Sequence, residues 1–82
     1  MPVVFRDRGR KFHFYSDEGT PREPVHIHVS EPGCEAKFWL NPTVRLARKI
    51  GYTERDVRNL ARIVDANRDL IERQWNEFFG NG

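Results

Sequence analysis

A single cysteine, Cys34, is all the thiol in the 82-residue chain, so no internal disulfide can form and a reducing cytoplasm is the compartment this predicts. No stretch approaches the roughly 18 consecutive apolar residues that a membrane span requires. The start, MPVVFRDRGRKF, turns charged after three apolar residues, which argues against a secretory signal. Repeats, low-complexity tracts and a composition break that would mark a second domain are also missing, so residues 1–82 read as one domain. That domain is small. At this length a fold buries only about 60–65% of its unfolded surface, so the core must be compact.

What is present is enough for one core: 38% hydrophobic residues and 12% aromatic, with six Phe and two Trp, which excludes a disordered tail. The net charge of +2 hides alternating blocks. Residues 1–16 carry +3 (Arg6, Arg8, Arg10 and Lys11 against Asp7), residues 17–42 carry −3, residues 43–63 carry +4, and the remainder −2. A polyanion would meet two basic zones if folding joined them; the plainer reading is a solvated surface of mixed charge.

The first half of the chain alternates with period two. In KFHFYS, VHIHVS and EAKFWL, Phe12, Phe14, Ile27, Val29, Ala36, Phe38 and Leu40 fall on one side. Lys11, His13, Tyr15, His26, His28, Ser30, Glu35, Lys37 and Trp39 fall on the other. VVFR adds a further strand through the turn DRGR, and EPGC closes a hairpin over residues 25–40. The run TVRLARKIGY, residues 43–50 within it above all, fits a short strand and a helical turn about equally. From Thr53, a candidate N-cap with Asp56 three residues on, the period becomes 3.6 through Val57, Leu60, Ala61, Val64, Ile71, Trp75 and Phe78. Asn67 interrupts that stripe and marks where the helix would kink or split.

The expected fold is therefore α+β and two-layered: an antiparallel four- to five-stranded sheet over residues 1–50, with a long C-terminal helix over 53–79 packed on its apolar face. With no second helix left, the opposite face is expected to lie open, carrying all three histidines.

Four readings of that open face compete. Polar and aromatic side chains are ordinary on a solvated sheet face. A metal could sit between His26 and His28 with His13 as third ligand, but no Cys or Asp stands in the matching register; no metal or cofactor is expected. Nucleic acid could stack on Tyr15 and Trp39 while Lys37, His13, Arg6, Arg8 and Arg10 meet phosphates. Ribonuclease chemistry would extend this, one of His26 and His28 taking the 2′-hydroxyl proton, the other protonating the leaving oxygen, and Lys37 stabilising the phosphorane. Asp17 or Glu18, in the loop SDEGTPREP, would lend an imidazole a carboxylate. HIHVS is not a histidine-triad run, because Ser30 stands where the nucleophilic histidine belongs. HVS is not a two-histidine phosphoesterase element, which needs two copies.

Taken together, FHFYSDEG, PVHIHVSE, EAKFWL, ARKIGYTERDV and RDLIERQWNEFFG resemble a small bacterial family, the domain of unknown function numbered 4160. Pro24, His26, His28, Ala36, Lys37, Trp39, Leu40 and Trp75 match its pattern. Val25 departs from it, standing where a second proline often precedes the first histidine. The resemblance implies a bacterial origin and a partner: members are often encoded beside a second small protein, in pairs that look like toxin–antitoxin modules. It implies no activity, since the family has none settled. The leading expectation is a toxin-like component of such a module, acting on RNA or a nucleic-acid machine through the histidine face. The alternative is a noncatalytic interaction module, binding a protein partner or a second copy through that face or an exposed sheet edge.

Overall fold

Alternating apolar and polar residues draw the first half of the chain into five strands, and the 3.6-residue stripe draws the rest into two helices. The computed structural model describes residues 2–16 and 23–80. The strands are β1 (Val3–Asp7), β2 (Arg10–His13), β3 (His26–Glu31), β4 (Cys34–Trp39) and β5 (Arg45–Ile50); α1 spans Glu54–Ala66 and α2 Arg68–Phe79. All pairings are antiparallel, and strand order in space equals order in sequence. Among the described residues, no helix is long and apolar enough to cross a membrane.

Two tight turns set the register. Asp7 faces Arg10 across a two-residue connection in which both Arg8 (φ 52°) and Gly9 (φ 80°) are left-handed, the backbone of a type I′ turn whose twist suits a hairpin. Pro32 and Gly33 (φ 81°) join Glu31 to its partner Cys34, as a type II turn requires.

The run at residues 43–50, equivocal by pattern, is a strand from Arg45 onward. The open edge of β4 supplies ladder partners, Trp39 to Arg45 and Phe38 to Leu46 at one end and Glu35 to Ile50 at the other. Such pairing decides between two local conformations of similar propensity. Register slips between Lys37 and Phe38, leaving Ala47 as an extra residue, a β-bulge. Gly51 then turns the chain out of the sheet with φ 82°. Any Cβ at that position would run into the Gly33 carbonyl oxygen.

The capping box forms. Asp56 N–H donates to Thr53 Oγ1 (3.1 Å) and Thr53 N–H to Asp56 Oδ2 (3.0 Å), satisfying two groups that a helix start leaves open. The helix expected over 53–79, with a kink or split at Asn67, does split there into two. At Asn67 (φ −112°) the side-chain amide donates to the Ile63 carbonyl at 2.8 Å, and its own carbonyl accepts from Ile71 N–H to open α2. A short amide side chain that competes for backbone partners breaks the helix where the stripe lapsed.

The core is the interface between the sheet's apolar face and these helices. Phe12, Phe14, Ile27, Val29, Ala36, Phe38 and Leu40 meet Leu60, Val64, Ile71 and Trp75, all almost fully buried.

Candidate functional site

Strand pairing sets the histidines side by side. His13 faces His28, His28 faces Lys37, and Lys37 faces Arg48, a row that crosses four strands. His26 faces Trp39, which faces Arg45. The rings of His13 and His28 stack at 5.7 Å between centroids, and His26 meets His28 edge-on at 5.2 Å. Tyr15 stands against both His28 (4.4 Å) and His13 (5.1 Å). The parity of the strands thus gathers all three imidazoles, as the alternation predicts.

The face is not open. His13, His26 and His28 are each 0% exposed, which overturns the expectation of a solvated histidine surface. Trp75 of α2 closes one end: it packs on Phe14 (5.2 Å) and on the His26 ring (4.9 Å). It can do so because β2 stops at His13, short of the position opposite His26. Trp39 lies against His26 at 5.4 Å. Lys37 Nζ sits 4.4 Å over the Trp39 ring and 3.3 Å from Glu23 Oε1, so its alkyl stem and charge lie flat along the face.

Each of these side chains is engaged. The Pro24 carbonyl can only accept, so His26 Nδ1, 2.9 Å away, carries the proton and donates, which settles the tautomer. His13 Nε2 lies 3.1 Å from Ser30 Oγ. The Tyr15 hydroxyl donates to Glu35 Oε2 at 2.8 Å. Tyr15 and Lys37, expected to stack a base and to meet a phosphate, are half-buried and engaged by Glu35 and Glu23. The expectation that Asp17 or Glu18 serves an imidazole falls outside the described residues. Among those described, no group of three or more His, Cys, Asp or Glu is arranged to hold a metal ion.

The three arginines expected beside the histidines part company. Arg6 pairs with Lys11 on the histidine side. Arg10 pairs with Asp7, the two locked by an ion pair at 2.7 Å. Arg8 and Arg10 line a different cleft, of about 730 Å³, with Glu31, Tyr52, Asp56 and Arg62. The hairpin turn is the cause: it reverses the chain between Arg6 and Arg10, so even spacing no longer means one face.

A family model described as domain of unknown function DUF4160 matches residues 9–76, a span that runs from the first hairpin turn to α2. This chain belongs to that family. No curated protein and no solved structure matches it. In this DUF4160 chain the residues that carry the sequence resemblance meet in one contact network. Pro24 holds His26, His26 touches His28, Trp39 and Trp75, Lys37 covers Trp39, and Ala36 and Leu40 lie in the adjoining core.

Sequence reasoning gave no role to the polar groups that close this site. Glu23, Ser30 and Glu35 are its polar partners. Ser30 and Glu35 were legible as neighbours by parity; Glu23 lies outside any strand and gave no signal. Trp75 read correctly as core, but nothing in its spacing said that its ring also reaches the histidines.

Proposed function

We propose that this chain is a noncatalytic protein-interaction module of the cytoplasm, working as one member of a pair with a small protein encoded beside it. The observation that supports this over ribonuclease action is the complete burial of all three imidazoles together with the Lys37–Glu23 pairing. General acid–base catalysis needs the acid and base within hydrogen-bond reach of substrate, and a phosphodiester has no path to His26 or His28 while this face stays shut. Buried polar rings held by ring contacts and by bonds such as His26 to the Pro24 carbonyl and His13 to Ser30 suit a role in specifying one packing.

A second reading keeps the toxin-like component acting on RNA or a nucleic-acid machine. It is favoured by a different observation, the exposure of Arg45, Arg48, Arg55, Arg58 and Arg62 along consecutive elements, a run of cations that a polyanion would contact.

Expression of the chain alone and together with the product of the adjacent gene separates the two. The interaction module leaves growth and cellular RNA intact when expressed alone, and elutes with its partner, or as a dimer, in size-exclusion chromatography. Fragmented RNA from the lone chain, lost in a folded His28→Gln variant, would establish the ribonuclease instead.

A further inference from the structure

We infer that the outer edge of β5 is the docking surface, and that its occupant is an acidic protein segment in extended conformation. This deepens, and rests on, the reading of the chain as an interaction module.

The two sheet edges differ. β1 is backed by α2, turns Val4 and Phe5 toward the core, and has its entry tied down where Phe14 N–H donates to the Pro2 carbonyl at 3.0 Å. On β5, five of six residues are exposed, and among the described residues its only sheet neighbour is β4. An outermost strand keeps one row of backbone donors and acceptors for a further strand to meet.

Charge selects the partner. β5 carries Arg45, Arg48 and Lys49 with no acid. Its ties are light: Arg48 lies 3.9 Å from Glu35, and Lys49 lies 3.2 Å from the exposed Glu54. Exposed pairs of this kind are worth at most about 1 kcal/mol and yield readily to a better anion. A second copy of this chain is disfavoured, because edge-to-edge pairing would bring three cations from each β5 into one seam.

Protein is favoured over nucleic acid by what stands between the cations. Leu46 is 37% and Ile50 64% exposed, aliphatic surface that the apolar side chains of a partner strand would cover. Single-strand binders present aromatic platforms for bases, and β5 has none. Ala47, the extra residue of the bulge, divides the edge into Arg45–Leu46 and Arg48–Ile50. That break resists indiscriminate strand addition and asks for a segment whose acids meet Arg45 and Arg48 separately.

The test uses the full chain and three probes: a synthetic peptide of about eight residues alternating glutamate and valine, the same peptide with lysine for glutamate, and a single-stranded RNA oligonucleotide of equal charge to the acidic peptide. Amide chemical shifts locate binding, and fluorescence anisotropy at low salt gives affinity. The acidic peptide is expected to shift signals of Arg45–Ile50. The double variant Arg45→Glu, Arg48→Glu, at exposed positions that leave the fold intact, should weaken it about tenfold or more, and the lysine peptide should not bind. Preferential shifts of the same signals by RNA would overturn the proposal in favour of a nucleic-acid edge. Absence of β5 shifts with every probe would overturn it too, leaving the cations as guards against aggregation. A complex with the adjacent gene's product that survives the double variant would overturn the edge assignment alone. No complex and no dimer at all would overturn the interaction reading itself.

Discussion

The two faces of one sheet bury opposite chemistry. On the helix side, Phe12, Ile27, Val29 and Phe38 are 0% exposed and held by hydrocarbon contact. On the other side, His13, His26 and His28 are also 0% exposed, but they are held by directed bonds to Ser30 and the Pro24 carbonyl and by ring edges against Tyr15, Trp39 and Trp75. Burial is thus no measure of apolarity here. The apolar face should tolerate changes that keep volume. The histidine face should tolerate none that removes a hydrogen-bond partner, because a buried group left unsatisfied costs about 1–3 kcal/mol.

The largest effect should come where the faces share a residue. Trp75→Ala removes the ring that packs on both Phe14 and His26, and should cost about 3–5 kcal/mol. At roughly 4–8 °C per kcal/mol for a domain of this size, a thermal melt followed by circular dichroism should show the loss of most of the cooperative transition. A melting temperature within a few degrees of the parent would mean that Trp75 closes neither face.

Next, neighbours on one strand can be set against each other. Ile27→Ala, toward the helices, should cost about 2–5 kcal/mol. His28→Ala, toward the other side, should cost about 2 kcal/mol or more, from the cavity left among the His13, Tyr15 and His26 rings. A neutral His28→Ala in chemical denaturation would show that its face behaves as solvent-exposed after all.

A smaller effect lies in alkaline solution, at the far end of the helix face. Burial, and then the nearby Glu31 carboxylate, push the Tyr52 hydroxyl well above the usual phenol range. A group whose neutral form the fold protects contributes stability in full below its unfolded value of about 10 and loses it as pH rises beyond. Tyr52→Phe should therefore flatten the fall in stability above about pH 10, measured by denaturant titration at stepped pH. An unchanged slope would place that hydroxyl in water.

The smallest concerns the helix that roofs the apolar face. Thr53→Ala removes a cap worth about 1 kcal/mol. The Thr53 backbone N–H, and then its hydroxyl, hold Asp56 below the usual carboxylate range. That contribution is present above the unfolded pKa and is lost as pH falls through the folded one, so the variant should show a shallower acid dependence. Equal acid slopes in parent and variant would detach the cap from the titration.

Period-two alternation made the sheet, its hairpins and the composition of both faces legible, and the 3.6-residue stripe made the helices legible. Parity could say which side His28 takes, but not whether that side is wet. Closure depends on a strand ending at His13 and on Trp75 reaching past it, and neither is a periodic property. The split of Arg6 from Arg10 was hidden for a related reason, since spacing counts residues and a turn reverses them. The strand at Arg45–Ile50 stayed equivocal because its conformation is decided by the neighbouring edge of β4 rather than by its own side chains.

Because each strand lies beside the one that precedes it in the chain, the sheet can assemble by zippering from the β3–β4 hairpin without waiting for distant segments to find each other. Low contact order of this kind favours rapid folding. The longest connection within the sheet joins β2 to β3, between His13 and His26, so the loop-closure entropy of forming the imidazole row exceeds that of either tight hairpin. The imidazole row is thus drawn together across the longest connection in the sheet.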